Sequence, residues 1–340
     1  MGHAQLYDGY DEDEYRQSDL ATATFISNTP TRQFIGWGAG YHLELTGTGF
    51  TYGGLNGFTL TGGDVTGLDI LGPYGHEVLS GGHVDGAALG LANITQTPGL
   101  GASILGAGDD LIEVMGTTAP STDTDFLARG WGGNDTMLGG GGRSSLFGGD
   151  GNDTINARAG DGNYLRGDAG NDSVVGAAGF DDINGNMGND TATGGPGDDW
   201  VVGGKDDDRL SGDLGGDVVW GNVGADTLDG GDGGDQVRGG QGDDVVSGGN
   251  GDDFVSGDRG DDTVIGGNGA DLFHGSQDAG IDRVLDFHIS EGDRVMLDPG
   301  TTYTLAQVGS DTVIDMGGGH QMILVGVTLS ALPTGSIFLG

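Results

Sequence analysis

The sequence predicts an all-β protein in which short strands and glycine-rich turns stack as successive coils. Three observations predict this fold: a nine-residue period from Gly130 to His274, a glycine count of 78 in 340 residues, and an apolar residue at one fixed position of each period. Two nines form one coil of turn, strand, turn and strand. The middle residue of each short strand points inward, so the core is one file of side chains in each sheet.

Sixteen units carry this period. They begin at residues 130, 139, 148, 157, 166, 176, 185, 194, 203, 212, 221, 230, 239, 248, 257 and 266, and the unit at 166 has ten residues. Position 8 is apolar or aromatic throughout and includes Tyr164 in the unit at 157. Position 6 is Asp except at Ser144 and Gly162, and Asp206 replaces the glycine at position 4, where we expect a strained turn.

Four regions follow from changes in composition. The predicted boundaries are an acidic, mobile lead-in at 1–20, a β-rich region at 21–129 with one degenerate unit at 105–113, the repeats at 130–274, and a β cap at 275–340. Alternating apolar and polar residues in YHLELTGTGFTY and GFTLTGGDVTGLDIL predict antiparallel strands, and TVIDMGGGHQMILVGV predicts a hairpin. The lead-in lacks the apolar core of a signal peptide, so taken alone it predicts a cytoplasmic protein.

Charge narrows the possible partners. Acidic residues outnumber basic residues 52 to 12, giving a formal net charge of −40. Nucleic acid is excluded as a partner because phosphate binding needs clusters of Lys and Arg. The absence of Cys excludes disulfides and thiolate metal sites. No run of about 18 apolar residues predicts a membrane-spanning segment.

The acidic residues predict a cation site at the turns. Residues 130–274 contain 28 Asp and no Glu, and glycine turns expose backbone carbonyl oxygens. Ca²⁺ takes about six to eight oxygen ligands from carboxylates and carbonyls. The candidate ligands are the position-6 aspartates: Asp135, Asp153, Asp172, Asp181, Asp190, Asp199, Asp208, Asp217, Asp226, Asp235, Asp244, Asp253, Asp262 and Asp271.

The repeat G-G-x-G-x-D-x-apolar-x resembles that of the RTX (repeats-in-toxin) family. The resemblance implies a right-handed parallel β-roll in which calcium lies between turns one full coil apart. The position-6 residues then form two rows, one from Asp135 and one from Ser144, with up to about twelve calcium ions. The segment DRVLDFHISEGDRVML is similar to those that close RTX rolls, and the apolar end LSALPTGSIFLG is similar to a type I secretion signal.

Two functions from different classes follow from the resemblance. The first is a secreted, extracellular calcium-binding protein that folds after type I export, with a structural, surface or adhesive role. Its expected partners are calcium, the secretion machinery, and a second copy or a cell-surface glycan. The second is an RTX enzyme or toxin, hydrolytic or polysaccharide-modifying, with an active site in the N-terminal region.

No catalytic motif supports the enzyme hypothesis, so we expect no catalytic activity. The segment YGHEVLSGGH begins like a zinc-protease helix, but Ser80 stands where His-Glu-x-x-His requires its second histidine. His76, Glu77 and His83 are therefore expected to be surface residues. The sequence also lacks the G-x-S-x-G pattern of a serine nucleophile elbow.

One outward-facing group departs from the polar surface. Trp200, Val202, Val218 and Trp220 occupy positions 7 and 9 of two units one coil apart, so we expect them on the same outer sheet face. An apolar patch of this kind is a possible contact site for the N-terminal region or a second copy. The alternative is a locally hydrophobic strand pair without a partner.

Overall fold

The structure, a computed structural model, is all-β wherever it describes the chain. The described residues are 31–37, 41–52, 58–71, 89–91, 111–113, 126–277 and 280–340. Within them there is no α-helix, and no helix is long and apolar enough to cross a membrane. The chain forms two compact units, Met1–Gly160 and Asp161–Gly340. The residues His76, Glu77 and His83 of the rejected zinc motif lie outside the described residues.

The first unit begins with an antiparallel sheet. Its strands are β1 (Thr31–Trp37), β2 (Tyr41–Tyr52), β3 (Phe58–Leu71) and β4 (Leu89–Leu91), hydrogen-bonded in that order. The strands β2 and β3 occupy the two segments whose alternating pattern predicted strands. All three neighbouring pairs in this sheet, β1–β2, β2–β3 and β3–β4, are antiparallel. Register shifts interrupt the β2–β3 pairing near Gly47 and Thr51, in the glycine- and threonine-rich part of the segment.

Parallel pairing begins in the first unit before residue 130. The strands are β5 (Leu111–Glu113), β6 (Phe126–Gly132), β7 (Thr136–Leu138), β8 (Ser144–Asp150) and β9 (Thr154–Asn156). Strand β5, at the end of the degenerate repeat unit, pairs in parallel with β7, which pairs with β9. Strand β6 pairs in parallel with β8. The inward residues Met137, Leu146 and Ile155 are fully buried.

The second unit stacks strands regularly from residue 163. They are β10 (Asn163–Ala169), β11 (Ser173–Val175), β12 (Asp181–Met187), β13 (Thr191–Pro196), β14 (Trp200–Lys205), β15 (Arg209–Leu214), β16 (Val218–Val223), β17 (Thr227–Asp232), β18 (Gln236–Gln241), β19 (Val245–Asn250), β20 (Phe254–Arg259), β21 (Thr263–Asn268) and β22 (Leu272–Gly275). Even-numbered strands pair with one another, and odd-numbered strands do the same. We call these the even sheet and the odd sheet.

The register places each residue beside the one 18 positions later. Val201 pairs with Val219, and Val219 pairs with Val237, so the even sheet carries a continuous file of buried position-8 side chains. The odd sheet carries a matching file that includes Leu210, Leu228 and Val246. The predicted parallel β-roll is confirmed.

The prediction was wrong about the irregular unit. Asn163 pairs with Asp181 and Leu165 pairs with Ile183, so the extra residue precedes Asn163 and does not lie in the unit at 166. In the unit that begins at residue 157, position 6 is therefore Asn163 and not Gly162. Leu165 is fully buried, whereas Tyr164, the predicted inward residue, is 38% exposed. Both assignments place an apolar or aromatic residue at position 8, so the period alone did not separate them.

The turns require left-handed backbone at positions 2 and 4. Position 4 is glycine with positive φ in most units, and Asp206, where we expected a strained turn, has a φ of 74° in the same left-handed region. Position 2 also has positive φ where it is not glycine, for example at Asn186 and Asn222, residue types that tolerate this region. Glycine at position 4 has a second cause, since a Cβ on Gly233 would collide with the carbonyl oxygen of Gly215 in the preceding coil.

The closing segment adds further strands to both sheets. They are β23 (Ile281–Val284), β24 (Arg294–Leu297), β25 (Thr304–Val308), β26 (Asp311–Gly317), β27 (His320–Leu324) and β28 (Ile337–Leu339), with a 3₁₀ turn at Leu329–Ala331. Strands β23, β24, β27 and β28 pair in parallel, so the roll continues past residue 274. Strands β26 and β27 form the predicted hairpin.

Candidate metal centres at the turns

The position-6 aspartates lie where each turn enters a strand. All fourteen predicted side chains are buried, with no more than 3% of any of them exposed. Those at the start of odd strands form a first row, and those at the start of even strands form a second row. Within each unit, consecutive members of a row are one coil apart, as the sequence predicted.

Hydrogen bonds connect the members of each row. The backbone N–H of Asp208 donates to Oδ1 of Asp226 over 2.8 Å, and that of Asp226 donates to Oδ1 of Asp244 over 2.7 Å. The second row repeats the contact, for example from Asp199 N–H to Asp217 Oδ1 over 2.7 Å. From Asp181 to Asp271, one oxygen of each carboxylate is therefore fixed by the backbone of the preceding coil, which orients the other oxygen.

That other oxygen has no hydrogen-bond donor along most of both rows. The Oδ2 atom is buried and unpartnered in Asp190, Asp199, Asp208, Asp217, Asp226, Asp235, Asp244, Asp253, Asp262 and Asp271. Buried polar atoms are normally paired, and a buried carboxylate oxygen without a donor is especially unfavourable. A row of such oxygens at regular spacing is the arrangement expected where cations complete the coordination.

The position-1 glycine belongs to the same arrangement. A Cβ on Gly239 would collide with Asp244 Oδ2, and a Cβ on Gly221 would collide with Asp226 Oδ2. Only glycine therefore leaves room for the carboxylate in the position that the ladder of hydrogen bonds sets.

Burial makes the ionised carboxylates costly when no cation is bound. Desolvation raises the pKa of Asp208 to about 8, with the charges of neighbouring aspartates adding to the effect. The same cause raises the pKa of Asp199, Asp244 and Asp253 to about 7. A bound divalent cation reverses this preference, because it stabilises the ionised form.

The remaining ligands must come from the backbone. In the part of the chain that the structure describes, no group of three His, Cys, Asp or Glu side chains lies close enough to hold a metal ion. Carbonyl oxygens of the next coil lie near these carboxylates, since a Cβ on Gly221 would collide with both Asp226 Oδ2 and the carbonyl oxygen of Gly239. Two carboxylates with several carbonyl oxygens are hard ligands that suit Ca²⁺ and do not suit a transition metal. The residues present therefore fit calcium.

Comparison with known families agrees with this chemistry. The family model described as the RTX calcium-binding nonapeptide repeat, four copies long, matches residues 130–163, 160–192, 184–219, 193–228, 211–246, 220–255 and 247–281. The matched residues, 130–281, make up less than half of the chain, and within them the sequence is similar to RTX repeats. RTX repeats bind calcium, and the rows of aspartates lie in the matched residues.

Solved structures also match the chain. One is the crystal structure of the extracellular lipase LipA from Serratia marcescens, with 18% sequence identity and a TM-score of 0.25. The match covers 58% of this chain and 40% of the lipase chain, so this chain matches less than half of the lipase's length. None of the curated proteins matched the chain.

Two aspartates that the sequence analysis missed extend the RTX rows. Asp262 N–H donates to Asp282 Oδ1 over 3.4 Å, and Asp271 N–H donates to Asp293 Oδ1 over 3.1 Å. Asp282 and Asp293 are buried, and each lies two residues before a fully buried valine. The D-x-V pattern in both was the available signal. Insertions of two and four residues, which lengthen the interval from 18 to 20 and 22, concealed it.

The second RTX row begins differently from the first. Asn163 donates to Asp181 Oδ1 from its backbone over 3.1 Å and from its side-chain amide over 2.7 Å. Asp181 Oδ2 accepts a hydrogen bond from Ala177 N–H over 2.6 Å, unlike the unpartnered oxygens farther along. Ser144, the other predicted exception, is buried in the first unit. At Asp181, hydrogen-bond donors of the protein thus stabilise carboxylate charge that a cation would have to stabilise farther along the row.

The predicted outer patch has the predicted geometry. Trp200 pairs with Val218 and Val202 pairs with Trp220 on neighbouring strands of the even sheet. Their side chains alternate with the buried Val201 and face outward. Trp200 is 54% exposed and Trp220 is 38% exposed, whereas the two outward valines are half-buried.

Proposed function

We propose that this chain is a secreted calcium-binding RTX protein whose roll folds when it meets extracellular calcium after type I export. The supporting observation is the double row of buried carboxylates, each with one oxygen fixed by the backbone and, along most of both rows, the other without a donor. Their mutual repulsion opposes folding where calcium is scarce. Extracellular calcium modules bind with dissociation constants of about 10⁻⁴ to 10⁻³ M, which matches a switch at export.

We propose about twelve ions in residues 161–340. Asp282 and Asp293 bring each row to seven carboxylates, so each row has six gaps between successive coils. The first row runs from Asp172 to Asp282 and the second from Asp181 to Asp293. The pair Asp135 and Asp153 forms one further gap in the first unit, where Asp135 N–H donates to Asp153 Oδ1 over 2.7 Å.

The test is a calcium titration of the full chain, followed by far-UV circular dichroism with magnesium as the control. Cooperative strand formation with calcium and none with magnesium supports the proposal, because Mg²⁺ demands a smaller, nearly octahedral shell. A roll that is already folded in metal-free buffer at neutral pH would exclude calcium-driven folding. Metal analysis of the dialysed protein then counts the ions.

Export is tested separately in a bacterium that carries a type I exporter. We expect the full chain in the medium and a chain truncated before residue 326 inside the cells. Equal secretion of both chains would show that the apolar C-terminal end is not the signal. Intracellular retention of the full chain would contradict the proposed route.

We propose a non-catalytic role for the folded protein at a surface or in an extracellular matrix. The proposal rests on the lack of a recognisable catalytic motif in the sequence and on the calcium-binding character of the matched repeats. A screen of the calcium-loaded full chain against ester, peptide and polysaccharide substrates tests it. Turnover of any of these substrates would replace it with an enzymatic function.

A further inference from the structure

The outer face of the even sheet presents an aromatic platform between two polar borders. The platform is Trp200, Val202, Val218 and Trp220 on β14 and β16. Asp182 and Asn184 border it on β12, and Gln236 and Arg238 border it on β18. The four neighbouring strands span about 14 Å, since strands in a sheet lie about 4.8 Å apart.

The platform is braced from the side. The Phe180 ring meets the Trp200 ring edge-to-face, with centroids 6.2 Å apart and an angle of 74° between the planes. Such a contact restricts the orientation of the indole while more than half of Trp200 remains exposed. A preorganised aromatic surface loses little conformational entropy when it binds a partner.

Charge on this face is balanced locally. Arg166 pairs with Asp182 over 2.8 Å, and Arg238 forms a two-pronged pair with Asp258 over 2.8 and 3.0 Å. Many of the other aspartates of the repeats are exposed at the turns instead, for example Asp198, Asp207 and Asp243. An anionic polymer is repelled by the molecule as a whole, and a cationic one is attracted to the turns and not to the platform. The platform therefore suits an uncharged partner.

Size argues against a second copy as the occupant. Aromatic side chains offer about 150–250 Å² each when fully available, so two half-exposed indoles present on the order of 200 Å². A standard protein–protein interface buries about 800 Å² on each partner. The narrow platform fits a thin, extended chain better than it fits another protein.

We propose that this platform binds an uncharged linear polysaccharide, with its chain running across the strands along the stacking direction. The apolar faces of pyranose rings pack on the indoles, and ring hydroxyls exchange hydrogen bonds with the polar borders. Asn184 and Gln236 place one side-chain amide on each border, and an amide can both donate to and accept from a hydroxyl group. The strand spacing is close to the length of one pyranose residue, so the borders enclose a few sugar residues.

This inference rests on the proposed surface role, because the platform forms only when the roll is folded. The test uses the calcium-loaded full chain and titrates it with cellohexaose, laminarihexaose and maltohexaose, followed by calorimetry. We expect at least one hexasaccharide to bind, and the Trp200→Ala/Trp220→Ala variant to bind it roughly tenfold or more weakly, as for aromatic anchor residues. The matched control is Trp131→Ala, which removes a 60% exposed indole from the first unit.

The outcomes of these titrations distinguish sugar binding at the platform from sugar binding elsewhere, self-association and coverage of the platform by the chain itself. If wild-type protein folds with calcium but binds none of the three sugars, the polysaccharide proposal fails and the calcium proposal stands. Binding that survives in the double variant places the sugar elsewhere and also overturns it. Concentration-dependent dimerisation that only the double variant loses would make the platform a self-interface. A change in melting temperature confined to the double variant, without sugar binding by the wild type, would show that the chain covers its own platform.

Discussion

The regular coils at 176–271 and the closing segment at 280–340 stack strands in the same two sheets but fill their interiors differently. Each nine-residue unit of a regular coil contributes one inward apolar residue, such as Val219 or Leu228, and one buried aspartate. The closing segment buries larger side chains, including Phe287, Ile314 and Met322. Its antiparallel hairpin also brings apolar residues from two strands against one another.

The difference shows which force holds each region. In the regular coils, the apolar file is too thin to offset the entropy of ordering so many glycines, and the buried carboxylates oppose folding until a cation binds. In the closing segment, apolar burial supplies more of the stability. Calcium and pH should therefore act mainly on the regular coils, and truncation of large side chains mainly on the closing segment.

The largest expected effect comes from removing calcium and then varying the pH. Because folding raises the pKa of the buried aspartates, from 3.8 to about 7 in Asp199, the metal-free fold favours their protonated forms. Stability without metal is then greatest below about pH 4 and falls as pH rises through 6 to 8, the values that Asp217 and Asp208 reach. A shift of three units corresponds to roughly 4 kcal/mol for one carboxylate.

Circular dichroism of metal-stripped protein between pH 4 and 8 measures this effect. We expect strand signal to appear on acidification and to be lost near neutral pH, and calcium to restore it there. A metal-free fold that becomes less stable towards pH 4 would contradict the role assigned to the buried carboxylates. Hydrogen exchange should locate most of the loss at neutral pH in residues 176–271.

The second effect tests the junction between the two regions. Phe273 is fully buried at the end of the inner file, and the centroid of its ring lies 5.8 Å from the ring centroid of Phe287 in the closing segment. We expect Phe273→Ala to lower the free energy of unfolding by about 3–5 kcal/mol at saturating calcium, since it leaves a cavity that a cation cannot fill. Denaturant unfolding measures the change. The control is Phe180→Ala, which truncates a 41% exposed ring. Equal losses of unfolding free energy in both variants would argue against a stabilising apolar core at the junction with the closing segment.

Much of the roll could be predicted from the sequence because its chemistry repeats. An offset of 18 residues fixes the strand register, so the inner file, the buried aspartates and the outward position of Trp200 all follow from one alignment of the units. Counting in nines from Gly130 puts Tyr164 at the inward position, but Leu165, one residue later, fits the same pattern. Only the pairing of β10 with β12 decides between the two residues. Asp282 and Asp293 were missed because insertions changed the interval while the contacts were kept.

The third effect tests the glycine at position 1. We expect Gly239→Ala to cost about 1–3 kcal/mol with calcium bound, because the new Cβ would displace Asp244 Oδ2. Thermal unfolding at saturating calcium and the calcium midpoint measure it. In the matched control, Gly216→Ala, the nearest atom to the new Cβ is 3.4 Å away, and we expect a change within about 1 kcal/mol of zero. Similar penalties for both would show that position 1 needs glycine for another reason.

The smallest effect, and the most specific, comes from removing one charge. Asp244→Asn keeps an oxygen that can accept the hydrogen bond from Asp226 N–H, but it removes a buried negative charge. We therefore expect opposite signs in the two conditions: metal-free protein at neutral pH becomes more stable, and calcium-loaded protein becomes less stable by about 1–2 kcal/mol. Parallel denaturant titrations with and without calcium measure both signs.

Two further variants relate this effect to position along the row. Asp293→Asn lies at the end of its row and borders one gap, whereas Asp244 borders two, so we expect its calcium-dependent loss to be about half as large. Asp229→Asn makes the same charge change at an exposed position and should alter neither condition by more than about 0.5 kcal/mol. If all three variants behaved alike, the carboxylates would act through net charge alone. A loss that scales with the number of adjacent gaps would instead identify each aspartate as a ligand shared between successive coils.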